Sequence, residues 1–435
     1  MKNSVLATMI NEISRHRCEG DVYNRVTTSE CVINSTSGSY VLPFASGDAV
    51  AIRLTLNDRT AVSSLNRFDA SELNIRMERM KRVLSRMAPH PPLAYPGPRT
   101  VETGGGSSPD RQSFRRTADA LSAAVLAAVS SHCRAVRDAA CTVRQTTTIR
   151  SLLNTRGFDG RDERSSVSAH LRVVLDIHNH PVIWENTVTT DSLELSPEQI
   201  VGPLTAVWSD PGAVPGKLTG QRPAILSGPA VRSLLVALIS LLDGRTFMSD
   251  VPSRRPEQDG RWISPLITVT AGDTVSAAAE TPVWDDDGIA TGMLPLITRG
   301  VIDGPIDDLM SAARNGRRPG RCFRGDDLLP RPGWRRIRMS PGVTPLKDML
   351  DIPGNGVVIF DLETPNPDPV TGEFSVGYTG RLVSQGALGA WIVNGALTGS
   401  IQNLMRRVDA VGNALSPSTD IVICPSLRFS TASLI

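Results

Sequence analysis

Side chains able to do chemistry sit at few places in these 435 residues. His178 and His180 flank Asn179 at the end of the run Leu171 to Ile177, with Asp176 just before them. Alternate residues of a strand share a face, so two imidazoles and a carboxylate there have the geometry to meet a divalent ion. The remaining histidines, His16, His90, His132 and His170, supply no second half of a site. A hairpin end with two solvated histidines is therefore the better reading. Asp285-Asp286-Asp287-Gly288 offers three adjacent carboxylates but lacks the ligand spacing of a calcium loop. It reads as a turn that ends a strand. No Gly-x-Ser-x-Gly elbow occurs, and Gly104-Gly105-Gly106 carries no P-loop lysine, so acyl-enzyme and phosphate-cradle chemistries have no basis. Cys18, Cys31, Cys133, Cys141, Cys322 and Cys424 include no Cys-x-x-Cys pair, which argues for reduced structural thiols rather than zinc ribbons or redox sites.

Composition narrows the class further. A net charge of +2 and 4% aromatic residues give neither the field nor the stacking surface of a nucleic-acid binder. The arginine-dense stretch Arg314 to Arg338 is interrupted by Asp326 and Asp327 and reads as a solvated loop. No apolar run reaches the length of a membrane span, and the N-terminal apolar run breaks at Asn11 and Glu12. A cytoplasmic chain is the expectation.

Around these residues the pattern predicts an α+β protein. An amphipathic helix with Val5, Leu6, Met9, Ile10 and Ile13 opens it, and a hairpin spans Val26 to Phe44 with its turn at Ser37-Gly38. Val50, Ile52, Leu54 and Leu56 alternate as a strand into an Asn57-Asp58 turn. Asp69 and Glu72 form a capping pair for a helix whose stripe is Leu73, Met77, Met80, Leu84 and Met87, read as core filling. This N-terminal α/β domain covers 1–96. Residues 97–109 read as a flexible linker. A middle α/β domain, 110–220, contains a helix from Ala118 to Val143, strands near 151–153 and 171–177, and a helix starting at Ser196-Pro197-Glu198. A C-terminal, mainly antiparallel domain fills 221–435. It holds an apolar helix, Pro229 to Leu242, that must be buried on all sides.

The most patterned stretch is Asn366 to Asn413. After a proline-bearing turn it reads Thr371-Gly372-Glu373-Phe374-Ser375, then glycine-punctuated alternation through Val376, Gly377 and Tyr378 to Val393, then a predicted helix with Ile401, Leu404, Met405, Val408 and Val411 on one stripe. These residues resemble the C-terminal core of the TldD/PmbA (TldE) family. Ser340-Pro341-Gly342, Thr344, Leu346 to Leu350, Gly356, the Asp285 to Gly288 turn, Gly300 to Gly304 and the Asn154 to Gly157 turn fit the same ordered set.

The resemblance implies a half-barrel C-terminal domain. It further implies a heterodimer with a zinc-bearing TldD-like subunit, the two enclosing a lumen where an unfolded peptide is held as an added strand and cut. The family's catalytic branch carries His-Glu-x-x-x-His on the helix matching Pro229 to Leu242. Here those positions hold Val236, Ala237 and Leu241, and Cys424 lies in a Pro-Ser strand rather than a Gly-x-Cys-Gly turn. The expectation is therefore a TldE-like subunit with no catalytic group, no metal ligand and no cofactor of its own, zinc being held by the partner. Gly372, Glu373, Phe374, Ser375, Val376, Gly377 and Tyr378 are the candidate lumen wall. Peptide-precursor or natural-product maturation is the implied setting, and some members were first named gyrase modulators. A stand-alone peptide-binding or scaffold protein is the alternative, and a homodimer remains a second possibility beside the heterodimer. Neither membrane nor direct nucleic-acid contact is expected.

Overall fold

The computed structural model describes residues 2–65, 70–104, 110–133, 135–177, 179–190, 194–208, 218–247, 251–272, 284–334, 336–415 and 422–435. Helix α1 (Lys2–Arg15) is followed by strands β1 (Glu19–Ser35), β2 (Gly38–Leu56) and β3 (Arg59–Leu65), then α2 (Ala70–Leu84). The period-two residues Val22, Val50, Ile52 and Leu54 point to one side of this meander. There they meet Leu6, Met9 and Ile13 of α1 and Leu73, Met77, Met80 and Leu84 of α2 in one apolar core. The methionine stripe is core, as its spacing predicts, except that α2 ends at Leu84 and leaves Met87 exposed. Asp69, the expected cap, lies outside the described residues.

The predicted linker is in part a strand. β4 (Arg99–Gly104) runs parallel to the start of β6 (Phe158–Ile177), in register from Arg99–Phe158 to Gly104–Glu163. Thr103 Oγ1 also donates to Asp162 at 2.7 Å. A polar sequence was read as flexible because its partners lie about half a hundred residues ahead, beyond the reach of local patterning. Helix α3 (Arg111–His132) starts where Asp110 accepts from the backbone N–H groups of Gln112 and Ser113, an N-cap. It stops at Cys133, short of the predicted Val143, because the Thr- and Val-rich residues beyond it form β5 (Val136–Asn154).

β1 pairs with β5 from Asp21–Asn154 to Ser35–Ala140. The expected N-terminal and middle domains thus share one seven-stranded sheet, ordered β3-β2-β1-β5-β6-β4, with β7 (His180–Thr190) on β6. Helix α4 (Pro197–Trp208) begins as predicted: Ser196 Oγ accepts from the Gln199 N–H and Gln199 Oε1 from the Ser196 N–H, a reciprocal capping box.

The C-terminal half begins with β8 (Gly220–Leu226) and α5 (Gly228–Ser240). Short strands β9 (Val269–Ala271), β10 (Leu294–Thr298) and β11 (Val301–Ile302), helix α6 (Leu309–Asn315), β12 (Cys322–Arg324), β13 (Pro330–Pro332), β14 (Ile337–Met339) and α7 (Leu346–Met349) follow. Then come β15 (Asn355–Leu362), β16 (Glu373–Ser384), β17 (Ala387–Ser400), α8 (Ile401–Arg406), β18 (Val408–Leu415), β19 (Val422–Ile423) and β20 (Pro425–Leu434). The main sheet, β17-β16-β15-β8-β20-β18, curls until β17 also pairs with β20 through Leu397–Leu434 and Thr398–Ser433. Only β15–β8 is parallel within it. This is the mainly antiparallel half-barrel of an α+β fold. The helix predicted to run on to Val411 ends at Arg406 instead. Val408 and Val411 sit on β18, where their branched side chains and backbone are satisfied by pairing with Phe429 and Leu427.

Candidate functional site

Helix α5 is buried over most of its surface but not on all sides, with Arg232 and Ser233 partly exposed and Ser240 exposed, and it stops at Ser240, short of the predicted Leu242. Ala230, Val231, Leu234, Leu235, Ala237, Leu238 and Ile239 are buried, Leu241 and Leu242 continue the burial past the helix end, and Val236 is partly buried against the same cluster. Phe374, Val376 and Tyr378 of β16 belong to that cluster too. The structure thus brings the three positions of the absent metal motif and three of the seven candidate wall residues into one apolar core. No atom of Val236, Ala237 or Leu241 can ligate zinc, and Cys424, fully buried, spends its thiol hydrogen on the Gly228 carbonyl at 3.3 Å. Burial pushes the Cys424 thiol up to about 12, away from the thiolate a metal requires. This donor set does not fit zinc.

The end of α5 is tied to the wall. Buried Arg254 donates from Nε to the Leu241 carbonyl at 2.5 Å and from Nη1 to the Pro369 carbonyl at 2.9 Å. Ser253 Oγ also reaches Pro369 O, at 2.9 Å. The proline-bearing turn is thereby held, and Gly372 follows at φ +76°, a value that favours glycine. Its carbonyl accepts the first N–H of α8 from Ile401.

Along β16 the candidates split by face. Phe374, Val376 and Tyr378 point into the core, whereas Glu373 and Ser375 are exposed. The Tyr378 ring lies against Gly395, where any Cβ would sit 2.4 Å from it. Its hydroxyl is buried with no hydrogen-bond partner among the described residues, and burial pushes it up to about 12. The backbone of the strand is largely used. Val376 faces Leu397 of β17, while Gly377 donates to Glu363 Oε2 and accepts from the Glu363 N–H, both at 3.1 Å. Because successive residues of an antiparallel strand turn their polar groups to opposite sides, Ser375 faces the same side as Gly377. No described backbone group pairs with it there. The longer stretch without a second strand is on β17: among the described residues, 387–395 take their strand partners from β16 alone, Arg381 also donates to the Gly389 carbonyl at 2.9 Å, and β20 reaches no further than Ala396 through Ile435.

His178 lies outside the described residues. His180 is the first residue of β7, paired with Ile177 across the turn, and its side chain is exposed. The strand Leu171 to Ile177 thus ends before His180, which belongs to the next strand.

Sequence reasoning missed a buried ionic cluster. The long sheet contributes Asp21, Arg53, Arg150 and Asp162, and the C-terminal half contributes Asp285, Asp286, Asp287 and Arg324, all shut off from solvent. Arg150 donates to Asp162 at 2.8 Å and to Asp286 at 2.5 Å. Arg53 pairs with Asp21 and, at 2.8 Å, with Asp287. Arg324 reaches Asp21 at 2.8 Å, and its own N–H donates to Asp286 at 2.9 Å. Asp285 makes no ion pair with a described residue of this cluster. It accepts backbone N–H groups of Asp287, Ile289 and Cys322, and burial, then the Asp287 charge, raises its pKa. Burial also acts on Asp162, but the hydrogen bond from Arg164 and the charge of Arg150 outweigh it and bring it down to about 2.

The Asp285 to Gly288 segment is a turn, as predicted, but a buried one, and Arg324 belongs to the core rather than to a solvated loop. The only local signal was an arginine beside apolar neighbours, as in Ile52-Arg53-Leu54.

Residues 219–435 match the family model for the PmbA/TldA metallopeptidase C-terminal domain. Over 169 residues the chain is 25% identical to a metalloprotease TldD homolog of Buchnera aphidicola subsp. Schizaphis graminum. That alignment spans 37% of this chain and only 34%, about a third, of that relative's length. Three solved structures share the fold, each with a TM-score of 0.78. One is a proposed modulator of DNA gyrase from Bacteroides thetaiotaomicron, at 16% identity over 99% of this chain and 98% of that one. A second protein of that description, from Thermotoga maritima, is 15% identical over the whole of both chains (100% and 100%). TldE from Thermococcus kodakarensis is 17% identical over 98% of this chain and 99% of its own. With the half-barrel in place and the C-terminal half matched throughout, the chain belongs to the TldD/PmbA family.

Proposed function

We propose that this chain is the TldE-like subunit of a heterodimeric zinc metalloprotease that cleaves unfolded peptides. The observation that carries the reading is α5: Val236, Ala237 and Leu241 stand where the catalytic branch has its metal motif, inside an otherwise intact half-barrel. A TldD-like partner supplies the zinc and the water it activates. This chain supplies half of the lumen, and its main-chain edges, at Ser375 and on the side of β17 away from β16, take an extended chain by strand addition. Recognition through backbone groups is tolerant of side-chain identity, which suits a precursor-processing or natural-product-maturing enzyme acting on varied sequences.

Co-expression with a TldD-like chain tests the reading. A stable heterodimer should form, an unstructured peptide should be cut only in the mixture, and zinc should reside in the partner. Ser375→Pro removes the one β16 N–H that faces an unpaired side and should lower cleavage while the heterodimer persists. Cleavage by the isolated chain, or stoichiometric zinc in it, would overturn the assignment. Full turnover by a folded Ser375→Pro complex would remove β16 from the peptide path.

A further inference from the structure

Beside the buried ionic cluster a cleft of about 700 Å³ opens between β1, β2, β5 and the segment 323–326. That volume lies in the range of small-molecule sites. Three cations line it. Two form its floor and are not available: Arg150 is committed to Asp162 and Asp286, and Arg324 to Asp21, all buried pairs. Arg25 differs. Its Nη1 is positioned by the Arg324 carbonyl at 3.2 Å, and its charge is met by Asp326 at 3.0 Å. The Arg25 side chain is 20% exposed, whereas Asp326 is fully in solvent. An ion pair with a solvated carboxylate is weak and exchanges readily, while a guanidinium fixed by a backbone carbonyl is already oriented for a new partner.

We propose that this cleft binds a carboxylate ligand, whose anionic group takes the place of Asp326 on Arg25. The body of the ligand lies along Phe323 and Ala49, which line the same cleft. Asp48 stands on its wall, held through Asn24 at 2.7 Å, and repels a second negative charge, so the preference is for monocarboxylates. Arg25 is one spacing further along β1 than Tyr23, on the face that carries the cleft and away from the α1–α2 core. The site is independent of the protease-subunit reading, because it uses neither α5 nor β16.

Isothermal titration of the full chain tests it with three probes: acetyl-triglycine with a free C terminus, acetyl-Gly-Glu-Gly-amide, and uncharged acetyl-triglycine-amide. At least one carboxylate probe should bind, less well at high salt, and the uncharged amide should not. Which carboxylate binds tells a chain terminus from an acidic side chain. Arg25→Gln should weaken binding by about tenfold or more, the loss of a charge-assisted pair. Asp326→Asn, at a fully exposed position, should tighten it roughly threefold by removing a competitor worth little in itself. The proposal falls if the amide binds equally well or if Arg25→Gln binds as the parent does. It falls as well if neither carboxylate binds to the parent or to Asp326→Asn.

Discussion

The cluster around α5 and the cluster around Arg150 are both buried, yet one is built of methyl groups and the other of charges. Around α5, Leu234, Leu235, Leu238 and Ile239 contact neighbours of the same kind, so apolar swaps of like volume are tolerated while added bulk and polarity are resisted. In the cluster around Arg150 the three arginines, Arg53, Arg150 and Arg324, each hold partners from both halves of the chain, and removal of one leaves buried carboxylates short of a cation. The first region can lose a metal motif and remain a good core. The second cannot lose a member, and it fixes how the long sheet meets the C-terminal half.

The largest effect that would break this comparison is expected on α5. Ala237→Glu with Leu241→His places a carboxylate and an imidazole where both native side chains are 2% exposed. Each unsatisfied group costs about 1–3 kcal/mol, with about 1–3 kcal/mol more for overpacking at Ala237. Thermal melting should show a large loss that added zinc does not recover. Adding Val236→His should cost less than either, because that position is only partly buried. If zinc instead raised the melting temperature of the triple variant above that of the parent, the cluster would be a recently disabled metal site and not a settled core.

Next comes Arg150→Met, which keeps the volume and leaves Asp162 and Asp286 without their shared cation. A loss of about 3–5 kcal/mol in denaturant unfolding is expected. Replacing Asp162 and Asp286 by Asn in the same chain should return part of it, since the stranded charges are then gone. Failure of that partial rescue would mean that Arg150 acts by packing on Trp284, whose ring lies 4.3 Å from its guanidinium carbon, and not by charge.

The smallest effect is a pH slope. Asp285 has its pKa raised in the folded state, so the folded chain holds a proton that the unfolded chain has released. Stability from this group is therefore full below about pH 4, the unfolded carboxylate value, and declines as pH rises through the folded-state value. Asp285→Asn should remove up to about 1.4 kcal/mol per pH unit of that slope. Asp287, also raised, first by burial, should leave a residual slope. An unchanged profile of melting temperature against pH would show that another group titrates there.

Local chemistry alone determined a good part of this molecule. The Val50 to Leu56 alternation, the helix start at Ser196-Pro197-Glu198, the Asn57-Asp58 turn and the mostly apolar helix that became Gly228–Ser240 were legible because each depends on neighbours within a few residues. The absence of metal donors on α5 was also legible, since identity at Val236, Ala237 and Leu241 settles which atoms are present. The tertiary structure alone decided what depends on distant partners. Arg99–Gly104 became a strand because β6 offers a parallel edge, and Val408–Leu415 became one because β20 lies beside it. Asp285 to Asp287 look like a solvated turn until Arg53, Arg150 and Arg324 arrive from strands as remote as β2 and β5. Burial reverses the meaning of a charge, and burial is set by which distant surfaces meet.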